Sequence, residues 1–176
     1  MDSGKILLLD LSSIGSKACD TIGRLVLSML HLSALDRHDV EERSVRPFHV
    51  YCDEPHRFAT DVMEDLAAET QKSKISLTFA HQYMRQFSTR KTDTLSSVGA
   101  TIMFRVDGSD AQHLREGLQG KADVDDLAAL QFGRAIVRIA DEMVLLRTLP
   151  PLEMPRDDCR DLIVQRSHER YCRPTR

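Results

Sequence analysis

Three short apolar runs, each followed by a turn and a helical pattern, limit this chain to an alternating α/β design. The runs are Lys5 to Leu11 (KILLLDL), Phe48 to Cys52 and Ile75 to Ala80 (ISLTFA). A continuous apolar run of that length suits a strand covered on both faces, so Lys5 to Leu11 is expected to be a central one. Between the first two runs, apolar residues recur at helical spacing: Ile22, Leu25, Val26, Met29, Leu30, Leu32 and Leu35. That spacing predicts one long helix over residues 16–37, with these residues on its buried face. Thr60 or Asp61 can cap a second helix ending near Gln71, with Val62, Met63, Leu66 and Ala67 turned inward.

The order continues past the third run. The segment 83–99 reads as partly helical, and Ala100 to Val106 as a fourth strand. Short helices are expected over 110–118 and 124–130. A closing hairpin follows, from Gly133 to Ile139 and from Met143 to Leu149, and Pro150-Pro151 ends it. Strands alternating with helices imply an α/β layered domain with a mainly parallel sheet over residues 1–150. Residues 151–176 read as a tail, helical over 157–170.

Composition narrows the function. The net charge of -3 excludes a globally basic nucleic-acid binder, so any DNA contact has to come from a local patch or an assembled ring. Arg85, Arg90, Lys91 and Arg105 are candidates for such a patch, but in this chain alone they read better as an ordinary solvated face. The tail arginines 166, 170, 173 and 176 are interspersed with acids. Cys19, Cys52, Cys159 and Cys172 show neither CxxC nor zinc-type spacing, which fits reduced thiols. The stretch Leu25 to Leu35, broken by Ser28, His31 and Ser33, is too short and polar to span a bilayer. No signal peptide or transmembrane segment is read, so a cytoplasmic protein is expected.

The chemistry concentrates at strand ends, where open α/β sheets bind ligands. The second run ends in Cys52-Asp53-Glu54. A desolvated carboxylate is costly without a partner, so two acids closing a buried strand suggest a role. In phosphoryl transfer, the first acid helps hold hydrated Mg²⁺ and the second orients or deprotonates water. Gln82 closes the third run, where a polar residue can sense a terminal phosphate. His81 reads better as a packed or hydrogen-bonded neighbour than as a base. A metal cluster of His49, Cys52 and His56 is rejected, because alternate strand residues point to opposite faces. Ser13-Ile14-Gly15-Ser16-Lys17 occupies the place of a phosphate loop but does not match GxxxxGK[ST].

Taken together, KILLLDLSSIGSKACDTIGRLVLSML, PFHVYCDEPHRF, ISLTFAHQYMRQF and VGATIMFRVDGSDAQHL resemble the carboxyl-terminal half of HerA/FtsK-type ATPases. The likeness is closest to the TraG/TraD-type coupling proteins of conjugation and type IV secretion, and it covers about residues 4 to 150. It implies a RecA-like three-layer core lacking its P-loop portion, a homo-oligomeric ring, ATP and Mg²⁺ as cofactors, and DNA as the moved substrate. By that resemblance Asp53 matches the Walker B acid that supports Mg²⁺, Glu54 the catalytic glutamate and Gln82 the phosphate sensor. Two features depart from the family. Its Walker A loop precedes the strand that Lys5 to Leu11 matches, and no such loop occurs in this sequence. Its interface arginine falls on Gln71, beside Lys72, which is a point charge rather than a planar fork. The resemblance therefore implies the Walker B half of a DNA-translocating ATPase, unable to hydrolyse ATP alone. The alternative is a non-catalytic module that docks a relaxosome or secretion protein. With the first part of the ATPase core missing, exposed apolar surface and a tendency to self-associate are expected.

Overall fold

The computed structural model describes residues 1–12, 14–39, 44–57, 65–67, 70–83, 98–118, 120, 122–153 and 158–172. Helix α1 (Ser16–Leu35) comes first and runs into a 3-10 turn, Asp36–Asp39. Strand β1 (Phe48–Asp53) follows, then the 3-10 turn Pro55–Arg57, the single helical turn α2 (Thr70–Ser73) and strand β2 (Ile75–Ala80). Strand β3 (Ala100–Met103), helices α3 (Gly108–Leu118) and α4 (Val124–Ala128), strands β4 (Arg134–Ile139) and β5 (Glu142–Arg147), and helix α5 (Arg160–Tyr171) complete the order. The α/β class expected from the alternation is the one observed. The second expected helix and Tyr83 to Gly99 fall largely outside the described residues, as do Ser13, Arg85, Arg90, Lys91, Arg173 and Arg176.

Strands β1 and β2 pair in parallel, with Phe48 opposite Ile75 and Asp53 opposite Ala80. Their inward residues Phe48, Val50, Cys52, Ile75 and Leu77 join Cys19, Leu27 and Ala34 of α1 and Leu66 in one apolar cluster. The alternate residues of both strands, including His49, Tyr51 and Ser76, face outward and are exposed. Buried Arg37 closes the end of this unit. Its guanidinium donates to the Ser73 carbonyl at 2.8 Å and to Asp2 Oδ1 at 2.7 Å, and it lies over the Phe48 ring.

The second unit is the antiparallel sheet β3-β4-β5. One face carries Met103 and Ile136 onto Ala111 and Leu118 of α3, Leu127 of α4 and Leu130. Asp123 and Asp126 form a capping box that starts α4. Strands β4 and β5 make the expected hairpin around Ala140-Asp141, with Ala140 at a positive φ of 50°.

Two expectations are corrected. Residues Lys5 to Leu11 form no strand: they carry no ladder pairing, and Ile6, Leu7, Leu8 and Leu9 stand exposed. A run of leucines records hydrophobicity but not which neighbours will cover it, and among the described residues no strand pairs with this one. The buried face of α1 is only partly the expected one: Leu30 packs on the core, but most of the predicted positions do not. Cys19, Gly23, Leu27 and Ala34 are buried, while Ile22, Leu25, Met29, Leu32 and Leu35 are exposed. The helix is apolar on two sides, so periodicity alone could not choose between them. At twenty residues α1 is also long and apolar enough to cross a membrane by length and composition, which the Leu25 to Leu35 stretch is not. In this structure one of its faces packs on β1 and β2.

Candidate functional site

The parallel register builds the site. Asp53 pairs with Ala80, so the residues that leave β1 lie beside those that leave β2. The Glu54 amide donates to the Ala80 carbonyl at 2.8 Å, which carries the pairing one residue past the end of β1. Asp53-Glu54 and His81-Gln82 therefore share the carboxyl edge of the sheet, the edge at which such sheets bind ligands. Asp53 is on the exposed face, and Gln82 is exposed just past β2.

Glu54 has a φ of 51°, in the left-handed region that non-glycine residues adopt only at a cost. The twist starts the turn Pro55–Arg57 and brings His56 back over the acid. His56 Nδ1 lies 3.1 Å from Glu54 Oε2, with both side chains largely shielded. The geometry is a close approach rather than an aligned hydrogen bond. From the same turn, Arg57 reaches α1, donating to the Ser16 carbonyl at 3.3 Å and lying 3.2 Å from Asp20 Oδ1. The turn after the acids is thereby tied to the start of α1.

Half-buried His81 sits between opposing influences. Burial holds its imidazole below the ordinary histidine range, while the nearby Glu54 and Asp110 carboxylates pull the other way and His56 adds to the depression. Asp110, in the first turn of α3, is almost completely buried. Its amide donates to Asp107 Oδ1 at 2.9 Å, and its own Oδ1 has no hydrogen-bond partner among the described residues. The strand edge of the first unit and α3 of the second thus meet electrostatically at His81.

Sequence reasoning named Asp53, Glu54 and Gln82 and missed the contact His56 makes and the place of Asp110. An acid followed two positions on by a histidine was a legible signal for the first, but the return of His56 depends on the positive φ at Glu54. His49 and Cys52 do lie on opposite faces: His49 contacts Ser76 Oγ at 2.6 Å, and Cys52 packs into the core. Burial, with Asp53 adding to it, pushes the Cys52 thiol up to about 11, so it is not a nucleophile near neutrality.

The chemistry available is a carboxylate at a strand end, shielded and held in place, beside a second, exposed carboxylate. One exposed acid suits outer support of a hydrated Mg²⁺, whose remaining ligands are waters and phosphate oxygens. No group of three or more histidine, cysteine or acidic residues among the described residues could hold a metal by itself. At the expected phosphate-loop position, Gly15 only precedes α1, with an unexceptional φ of -58°.

No protein-family model matches this chain, and no curated protein matches it. Solved structures do. The genome-packaging NTPase B204 from Sulfolobus turreted icosahedral virus 2, in complex with AMPPCP, superposes with a TM-score of 0.54 at 11% identity. The match covers 76% of this chain and 63% of that one. The same NTPase in complex with AMP gives a TM-score of 0.52 at 12% identity, over 72% of this chain and 62% of that one. The likeness is one of fold. The chain spans less than two thirds of the length of the structures it matches, and it shares their α/β fold.

Proposed function

We propose that this chain is an NTPase-like module of the DNA-translocating type, bearing the Walker B acids but no phosphate-binding loop in its sequence. The observation that carries the reading is the register that sets Asp53 and Glu54 beside His81 and Gln82 at the carboxyl edge of a parallel pair. In this reading Asp53 would hold the hydrated Mg²⁺ of a bound Mg·ATP. Once a phosphate-binding loop is supplied, Glu54 would accept a proton from the attacking water and Gln82 would read the terminal phosphate. The bound metal would supply charge neutralisation on the phosphate oxygens.

The fold shared with a genome-packaging NTPase solved with nucleotide analogues supports the class, and DNA and a homo-oligomeric ring follow from it as proposals. Within the class, the sequence resemblance favours a coupling protein of the TraG/TraD type acting in the cytoplasm, with residues 1–150 as the partial ATPase domain and 151–176 as its tail. A second reading, a docking module for a relaxosome or secretion protein, is favoured by the exposed apolar residues of the 5–11 segment and α1.

Binding of a fluorescent ATP analogue, with and without Mg²⁺, tests the first reading. Weak binding that needs Mg²⁺ and is lost in Asp53→Asn supports it. Binding that Asp53→Asn leaves unchanged, or no binding at all, favours the docking module.

A further inference from the structure

We infer that residues 5–10 are a self-association strand, through which the chain pairs with a second copy of itself in antiparallel orientation. The inference does not rest on the NTPase reading. Ile6, Leu7, Leu8 and Leu9 are 88%, 67%, 73% and 50% exposed, a contiguous apolar ridge on a segment with neither helix nor ladder. Its unpaired backbone groups and apolar side chains together make a template for strand addition.

The ridge is displayed by its anchors. On one side Met1 packs against the first core and Asp2 is held by Arg37 at 2.7 Å; on the other, Leu11 and Ile14 enter the same core. Gly4, at a φ of 67°, turns the chain outward, and a side chain there would press on the Arg46 guanidinium. Asp10 closes the segment by accepting from the Ser12 amide at 3.0 Å and the Ser12 hydroxyl at 2.6 Å. The six residues between these anchors project as a unit.

Charge selects the occupant and its direction. The ridge has Lys5 at one end and Asp10 at the other, with only apolar residues between. Two copies running antiparallel bring each Lys5 to the end that carries the other copy's Asp10. Two copies running parallel bring like charges together. A segment whose ends are opposite in charge and whose middle is apolar is complementary to itself, as a two-fold contact requires. Arg160 also lies near Asp10 and competes for it, so the Lys5 contribution is expected to be modest.

Sedimentation equilibrium of the purified chain tests this, with circular dichroism confirming the fold of each variant. Wild type should rise from the 20.0 kDa chain mass to at least twice that value as concentration rises. Leu7→Lys should stay monomeric. Lys5→Asp and Asp10→Lys should each weaken association roughly ten-fold, and the double swap should restore it. Restoration separates pairing between copies from simple loss of the Asp10 to Ser12 turn, which Lys5→Asp could not repair. A strictly monomeric wild type overturns the proposal. So does a dimer indifferent to Leu7→Lys, or a double swap no better than the single ones.

Discussion

The Glu54 amide donates to the Ala80 carbonyl at 2.8 Å, and that bond sets the acid turn against the end of β2. It holds the acid at a φ that only the surrounding structure can impose. Substitution by glycine removes the conformational cost, and substitution by valine increases it. Glu54→Gly should raise stability by about 1 kcal/mol, or about 3 °C in melting temperature. Glu54→Val should melt below wild type. A glycine variant that melts lower than valine would mean that the backbone at Glu54 stores no strain.

His81 predicts a pH dependence. Its folded-state titration lies below the unfolded value of 6.5, because burial disfavours the charged ring. The unfolded chain therefore binds the proton more readily. The stability due to neutral His81 is fully present above pH 6.5 and is lost as the pH falls below it. Urea midpoints measured through that window should fall with pH in wild type and fall less in His81→Gln. Equal slopes in the two proteins would remove His81 from the account.

Arg37 is expected to be irreplaceable by lysine. One planar guanidinium serves the Ser73 carbonyl, Asp2 and the Phe48 ring at once. A lysine ammonium is a point charge and cannot span all three. Arg37→Lys should cost about 2 kcal/mol, nearly as much as Arg37→Ala. Full stability in the lysine variant would show that charge alone is required.

The second core should fail independently of the first. Leu127 is fully buried beneath β4, and Leu127→Ala should cost about 3 kcal/mol through the cavity it leaves. Amide exchange should accelerate in β3, β4, α3 and α4 more than in β1 and β2. A uniform acceleration would make the two clusters one cooperative unit.

Much of this arrangement was legible from side-chain pattern. Strand β2 coincides with the ISLTFA run, and β1 extends the predicted strand by one residue, because short apolar runs bounded by polar residues have few alternatives. Placing Asp53 and Gln82 on one edge needed only the rule that parallel strands end together. Whatever depended on missing neighbours was not legible. Lys5 to Leu11 reads as a buried strand whether or not anything covers it, and α1 offers two apolar faces of which the structure uses one. The contact of His56 with Glu54 and the approach of Asp110 to His81 depend on turn geometry and on the meeting of two units, neither of which leaves a periodic trace.

Asp53, Glu54 and Gln82 are proposed to form half of a nucleotide site. Paramagnetic mapping tests it directly, because Mn²⁺·ATP in place of Mg²⁺·ATP broadens nearby amide resonances even when binding is weak. Broadening should centre on Asp53, Glu54, His81 and Gln82, be stronger with Mn²⁺·ATP than with Mn²⁺ alone, and be lost in Asp53→Asn. Broadening centred instead on Asp123, Asp125 and Asp126, or equal with and without ATP, would contradict a nucleotide site at this edge.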